Sequence, residues 1–137
     1  MAQPGDWTLE AARAALPEVK RRLGEARTHL AAMGAAEEQL TDLRIVHGEQ
    51  VLAPASPGHR EFKAYWDAHQ EARAALEQAI LGLHQLGVEV KDVQQGLVDF
   101  RGRLGTTAAY LCWKDGEADI DWWHPLDEGF QGRRRLP

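Results

Sequence analysis

An apolar rhythm of alternating threes and fours runs through this chain twice, and it limits the possible folds more than any other feature. Residues 9, 12, 16, 19, 23, 26, 30 and 33 are Leu, Ala, Leu, Val, Leu, Ala, Leu and Met. Residues 62, 65, 69, 72, 76, 79, 83 and 86 are Phe, Tyr, His, Ala, Leu, Ala, Leu and Leu. This spacing places each set on one stripe of an α-helix, the seam of a heptad pattern. Glu37 interrupts the first seam and Leu40 resumes it. Between the two runs, Ala53-Pro54-Ala55-Ser56-Pro57-Gly58 breaks the helical pattern. Two seams of matching length on a short link predict an antiparallel helical hairpin.

The ends of the helices are also written in the sequence. Thr8 can cap the first free backbone N–H groups, and Glu10 sits in the first turn, where a carboxylate is favoured. Gly87 directly follows the second seam, where a left-handed cap is expected, with Val88 to make the accompanying apolar contact. Pro17 lies inside the first pattern and predicts a kink or a short split-off piece.

Composition changes after residue 86. Residues 87–137 hold six of the chain's ten aromatics, Phe100, Tyr110, Trp113, Trp122, Trp123 and Phe130. Aromatic and β-branched residues favour strands. Val88-Glu89-Val90-Lys91 alternates like a strand, and Leu97-Val98-Asp99-Phe100 follows a turn at Gln94-Gln95-Gly96. Residues 106–114 and 117–124 read as a hairpin around Asp115-Gly116, a favoured two-residue turn. That register pairs Trp113 with Ala118, Leu111 with Ile120 and Ala109 with Trp122 on the face toward the helices. It leaves Tyr110, Cys112, Asp119, Asp121 and Trp123 on the opposite face and turns His124 toward the helices. A three-residue turn ending at Gly116 would pair Leu111 with Asp119 and mix the faces.

The predicted fold is α+β, one domain over 1–137. A long antiparallel helical hairpin (1–86) precedes a small antiparallel meander of three or four strands with a basic tail (87–137). No apolar run approaches the roughly 20 residues of a membrane span. The start MAQPGDW has no basic stretch followed by an apolar run, and Cys112 is the single cysteine; together they favour a reducing, cytoplasmic setting. A net charge of −5 argues against non-specific nucleic-acid binding. There is no phosphate-binding glycine loop, dinucleotide fingerprint or Gly-x-Ser-x-Gly elbow.

Several segments together are similar to a bacterial family catalogued as domain of unknown function 2203. They are Trp7-Thr8-Leu9-Glu10-Ala11, Leu16-Pro17-Glu18-Val19, Gly96-Leu97-Val98-Asp99-Phe100, Leu111-Cys112-Trp113, Gly116-Glu117, Trp123-His124 and Gly129-Phe130-Gln131-Gly132-Arg133-Arg134. The resemblance covers nearly the whole chain and implies a helical N-terminal part, without supplying a reaction. Where the family pattern carries proline after Val-Asp-Phe, Arg101-Gly102 stands here, which leaves the strand's end open.

Asp99, Cys112, Glu117 and His124 are the family-matching polar residues of the sheet, and they are ligand types for zinc or iron. Their spacing matches no standard metal motif, and the register above sets Cys112 and His124 on opposite faces. A buried cysteine, a hydrogen-bonded histidine and a turn-fixing Glu117 is therefore the plainer expectation. Cys112 sits in mid-strand beside Trp113, a poor place for a nucleophile. His69 on the second seam and His29 beside the first have no Glu-x-x-His partner, so a di-iron site is not expected. Residues 115–128 carry six acids and no Lys or Arg, and Arg133-Arg134-Arg135 follows. The acids lack the calcium-loop pattern, and the arginines are expected to balance them. Gly129 and Gly132 should fold the tail back onto the domain.

These features lead first to a non-enzymatic homodimeric interaction or assembly module with no cofactor, joined through its helices, with an unknown protein partner also open. Apolar Leu43, Ile45, Val46, Trp66, Ile80 and Leu81 lie off the seams, and a sheet of 17–27 Å strands covers only about half the hairpin. A metal-binding protein or metal-dependent enzyme using Asp99, Cys112, Glu117 and His124 is the second reading. An RNA-associated factor is a lesser third.

Overall fold

A computed structural model describes residues 5–137. Helix α1 spans Leu9–His47 and helix α2 spans His59–Gln85, joined through a short 3-10 turn at Glu49–Leu52. Five strands follow: β1 (Val88–Asp92), β2 (Leu97–Leu104), β3 (Thr107–Lys114), β4 (Trp122–His124) and β5 (Arg134–Arg135). They form one antiparallel meander in chain order. The fold is the expected α+β hairpin and sheet, with short β4 and β5 raising the strand number to five.

Thr8 caps α1 by accepting the Ala11 N–H at 3.1 Å. Helix α1 runs without interruption through Pro17, so no N-terminal piece splits off. Leu16 and Val19, on either side of the proline, are both buried, and that packing outweighs one missing backbone hydrogen bond. Gly87 adopts φ 90°, the left-handed conformation expected after α2.

The core lies between the first half of α1, the end of α2 and one face of the sheet. Ala12, Leu16, Val19 and Leu23 meet Leu83, Val88, Val98, Phe100, Leu111, Trp113 and Ile120. Trp7 seals one end of it. Its indole N–H donates to the Gly87 carbonyl at 2.9 Å, and its ring meets Phe100 edge-on at 5.1 Å. Its backbone lies along β2 as a parallel bridge to Gly102. Strand β2 therefore continues through Arg101-Gly102 to Leu104.

The hairpin's far half has no sheet beneath it. At 1.5 Å per residue the 39 residues of α1 extend roughly 60 Å. Beyond Ala26, Ala36 is the one buried residue of α1. Ile45 (76% exposed), Val46 (73%) and Trp66 (48%) stand on this arm in solvent.

One register differs from the sequence reading. The tight turn is at Gly105-Thr106, with Leu104 paired to Thr107 and Gly105 at φ 61°. Asp115-Gly116 does not close a hairpin. Strand β3 pairs β4 as Tyr110–His124, Leu111–Trp123 and Cys112–Trp122, so residues 115–121 form a connection. Asp115, Glu117, Asp119 and Asp121 are poor strand formers, and arginines hold all four. Arg27 pairs with Asp115, Arg133 with Glu117, and Arg13 with Asp119 and Asp121. The three-residue shift exchanges the faces of β4: His124 now lies on the same face as Tyr110 and Cys112.

Candidate functional site

The sheet face turned away from the helices carries a buried polar cluster. Asp99 on β2 is directly opposite Cys112 on β3, and Tyr110 on β3 is opposite His124 on β4. Paired residues in an antiparallel ladder share a face, so these side chains converge. Asp99 is 3% exposed, His124 1% and Cys112 0%. One ligand atom from each of the three lies within 4.8 Å of the others.

Glu117, the fourth sequence candidate, stands outside this trio. Its Oε1 accepts the Lys114 N–H at 2.7 Å, and both its oxygens face the Arg133 guanidinium. The expectation that Cys112 and His124 stay apart is corrected by the β3–β4 register. Arg133 was not singled out in the sequence from its two arginine neighbours. Here its guanidinium lies 4.5 Å from the ring centres of both Trp122 and Phe130, and its Nη1 donates toward Cys112 Sγ at 3.7 Å.

The proton positions in the cluster follow from its partners. His124 Nδ1 lies 3.0 Å from the Pro125 carbonyl, which can only accept, so Nδ1 carries a hydrogen. His124 Nε2 lies 2.9 Å from Asp99 Oδ2, and a single proton between them completes the contact. Asp99 Oδ1 is buried and has no hydrogen-bond partner among the described residues. Burial pushes the Asp99 carboxyl up, against the pull of His124. Burial, and then the charge of Asp99, push the Cys112 thiol up to about 12. A thiol in that state is no nucleophile at neutral pH.

One side of the cluster is reachable. A cleft of about 350 Å³ has Asp99 and His124 at its floor, and Lys91, Leu97, Tyr110 and Phe130 among its walls. The Tyr110 ring sits 5.1 Å from that of His124, and its hydroxyl donates to Glu89 at 3.3 Å. Cys112 does not line the cleft. The cluster thus offers nitrogen, oxygen and sulfur donors, and two of its residues border a cleft. On the helices, His69 meets the Glu37 carboxylate at 2.9 Å.

Among the described residues no helix is long and apolar enough to cross a membrane. No curated protein and no solved structure matches the chain. A family described as "Uncharacterized conserved protein (DUF2203)" matches residues 6–136, almost the full length, and the chain belongs to that family.

Proposed function

We propose that this protein binds one transition-metal ion, zinc or ferrous iron, through Asp99, Cys112 and His124. The observation that carries the reading is the convergence of a buried carboxylate, thiol and imidazole, one ligand atom of each within 4.8 Å of the others, with Asp99 Oδ1 facing the thiol without a well-formed hydrogen bond. Such an oxygen costs about 1–3 kcal/mol when left unsatisfied. A divalent cation relieves that cost. It also favours the ionised forms of Asp99 and Cys112, which burial alone opposes. The His124 Nδ1–H bond to Pro125 aims Nε2 into the cluster, the arrangement by which metal-bound imidazoles are oriented. Three protein ligands leave a fourth position, and the cleft lies on the Asp99 and His124 side for a water or small molecule.

Metal analysis of protein purified without an affinity tag tests the reading. Stoichiometric zinc or iron is expected in the wild type and is lost in His124→Ala. Chelation should lower the melting temperature of the wild type and leave His124→Ala unmoved. Protein that holds no metal, and takes up none when zinc or ferrous iron is added, rules the reading out.

A second reading concerns assembly, and the bare arm favours it. Ile45, Val46 and Trp66 are exposed where the sheet does not reach. Two hairpins pairing as a four-helix bundle would cover them. Light scattering then gives a mass near twice 15.3 kDa. A mass near 15.3 kDa at tens of micromolar excludes the homodimer.

A further inference from the structure

We infer that Arg133, held by Glu117, is a positioning residue for the Cys112 sulfur: it covers that side of the cluster and donates an N–H to the metal-bound thiolate. The inference rests on the metal-binding reading above and adds to it how the ion is retained.

Three arginines stand in a row at the tail, and they are used differently. The Arg133 side chain is 13% exposed and the Arg134 side chain is 51% exposed. Arg134 pairs with Glu128 and lies over Trp123, and Arg135 lies over Trp122. Arg133 alone among them points inward, with aromatic rings on two sides and Cys112 Sγ 3.7 Å from Nη1. The cleft meets the cluster at Asp99 and His124, so the guanidinium closes the sulfur side.

The charges fit a loaded site. A divalent ion with one carboxylate and one thiolate is neutral. A bare guanidinium next to it would repel the cation. Glu117 removes that conflict by pairing with both Nη atoms while the Lys114 N–H fixes its own position. The pair adds no net charge and still presents a strong donor to sulfur. A hydrogen bond of this kind lowers the energy of the sulfur lone pairs and holds the thiolate in place, as outer partners of metal ligands do. The Phe130–Gly132 turn in the tail brings Arg133 back over the sheet, so the cover and the cluster are built by distant parts of the chain.

Cobalt(II) is the probe, used with the full chain. Wild type should show a thiolate-to-cobalt charge-transfer band. In Arg133→Gln the band should move to lower energy, and cobalt loss to a chelator should quicken about tenfold, the usual scale for losing an outer partner. Glu117→Gln, which keeps an oxygen for the Lys114 amide, should fall between. Arg134→Gln should match wild type. An Arg133→Gln protein with the wild-type band and release rate overturns the inference and leaves metal binding standing. Absence of any charge-transfer band in wild type overturns Cys112 ligation itself. Thiol labelling of metal-free protein then judges the cover alone. Faster Cys112 modification in folded Arg133→Gln than in Arg134→Gln supports it, and equal rates overturn it.

Discussion

Asp99 and Cys112 are a cross-strand pair joining β2 to β3, and both side chains are buried on the face away from the helices. Backbone hydrogen bonding fixes their separation, so the carboxylate and the thiol cannot move apart while the sheet is intact. Two acids set side by side out of water each raise the cost of ionising the other. The pair therefore has consequences for stability whether or not an ion is bound.

The first appears at alkaline pH. The thiol of Cys112 titrates near its ordinary 9.0 in the unfolded chain and at about 12 in the folded one. Between those values the unfolded state has lost the proton and the native state keeps it, so stability falls as pH rises. The slope approaches about 1.4 kcal/mol per pH unit. Well below pH 9 both states keep the proton and the group contributes little to the slope. Metal-free wild type compared with Cys112→Ala in denaturant melts from pH 8 to 11 checks this. Parallel curves for the two proteins contradict it.

Gly102 is required by its neighbour. A Cβ built there would lie 1.8 Å from the Trp7 carbonyl oxygen, and the Arg103 N–H donates to that same oxygen at 3.0 Å. Gly102→Ala must push the N-terminal segment off β2, with an expected loss of at least about 2 kcal/mol. Gly105→Ala meets no atom within 4 Å, so its cost is limited to the strain of φ 61°, about 1 kcal/mol. Urea midpoints that reverse this order would show that the Trp7 segment does not need its place on β2.

Trp7→Phe separates shape from hydrogen bonding at the same corner. Phenylalanine keeps an aromatic ring against Phe100 but abandons the buried Gly87 carbonyl. The expected loss is about 2 kcal/mol. A midpoint within error of wild type would mean that water takes over the carbonyl.

Protection against hydrogen exchange should be graded along α1. Amides near Leu16, Val19 and Leu23 lie over the core and should exchange only through global unfolding. Those between residues 37 and 47, where no side chain is buried, should open locally and exchange faster. Uniform protection along the helix would reveal that something besides α2 holds the arm.

The helices were legible in the sequence because their signals agree: two seams of eight, a capping threonine and a glycine at the exit. The faces of β3 were legible too, because Leu111 and Trp113 alternate with Tyr110 and Cys112. The three residues of the site were named in the sequence, but their convergence was not legible, and the fault lies in one turn. Asp115-Gly116 is a strong local hairpin signal, yet the side chains around it answer to arginines on α1 and the tail. A countersignal was present in the acids at 115, 117, 119 and 121, which suit a connection better than a strand. Whether His124 meets Cys112 depends on the parity of that register, which no short-range pattern fixes. Arg133 was hidden for a similar reason, since three consecutive arginines look alike until the tail is folded.

The bare arm gives the architecture a free dimension. Past Arg27, which still reaches Asp115 and the Gln94 carbonyl, the two helices pack on each other and on the Glu49–Leu52 turn, through a seam that repeats every seven residues. Adding or removing seven residues in both helices would return the same faces to the same partners and move the tip by about 10 Å. The sheet, the Trp7 corner and the Asp99–Cys112–His124 cluster would not register the change. Reach and chemistry are thus separable in this fold: the distance at which the tip is held can vary while the cluster stays as it is.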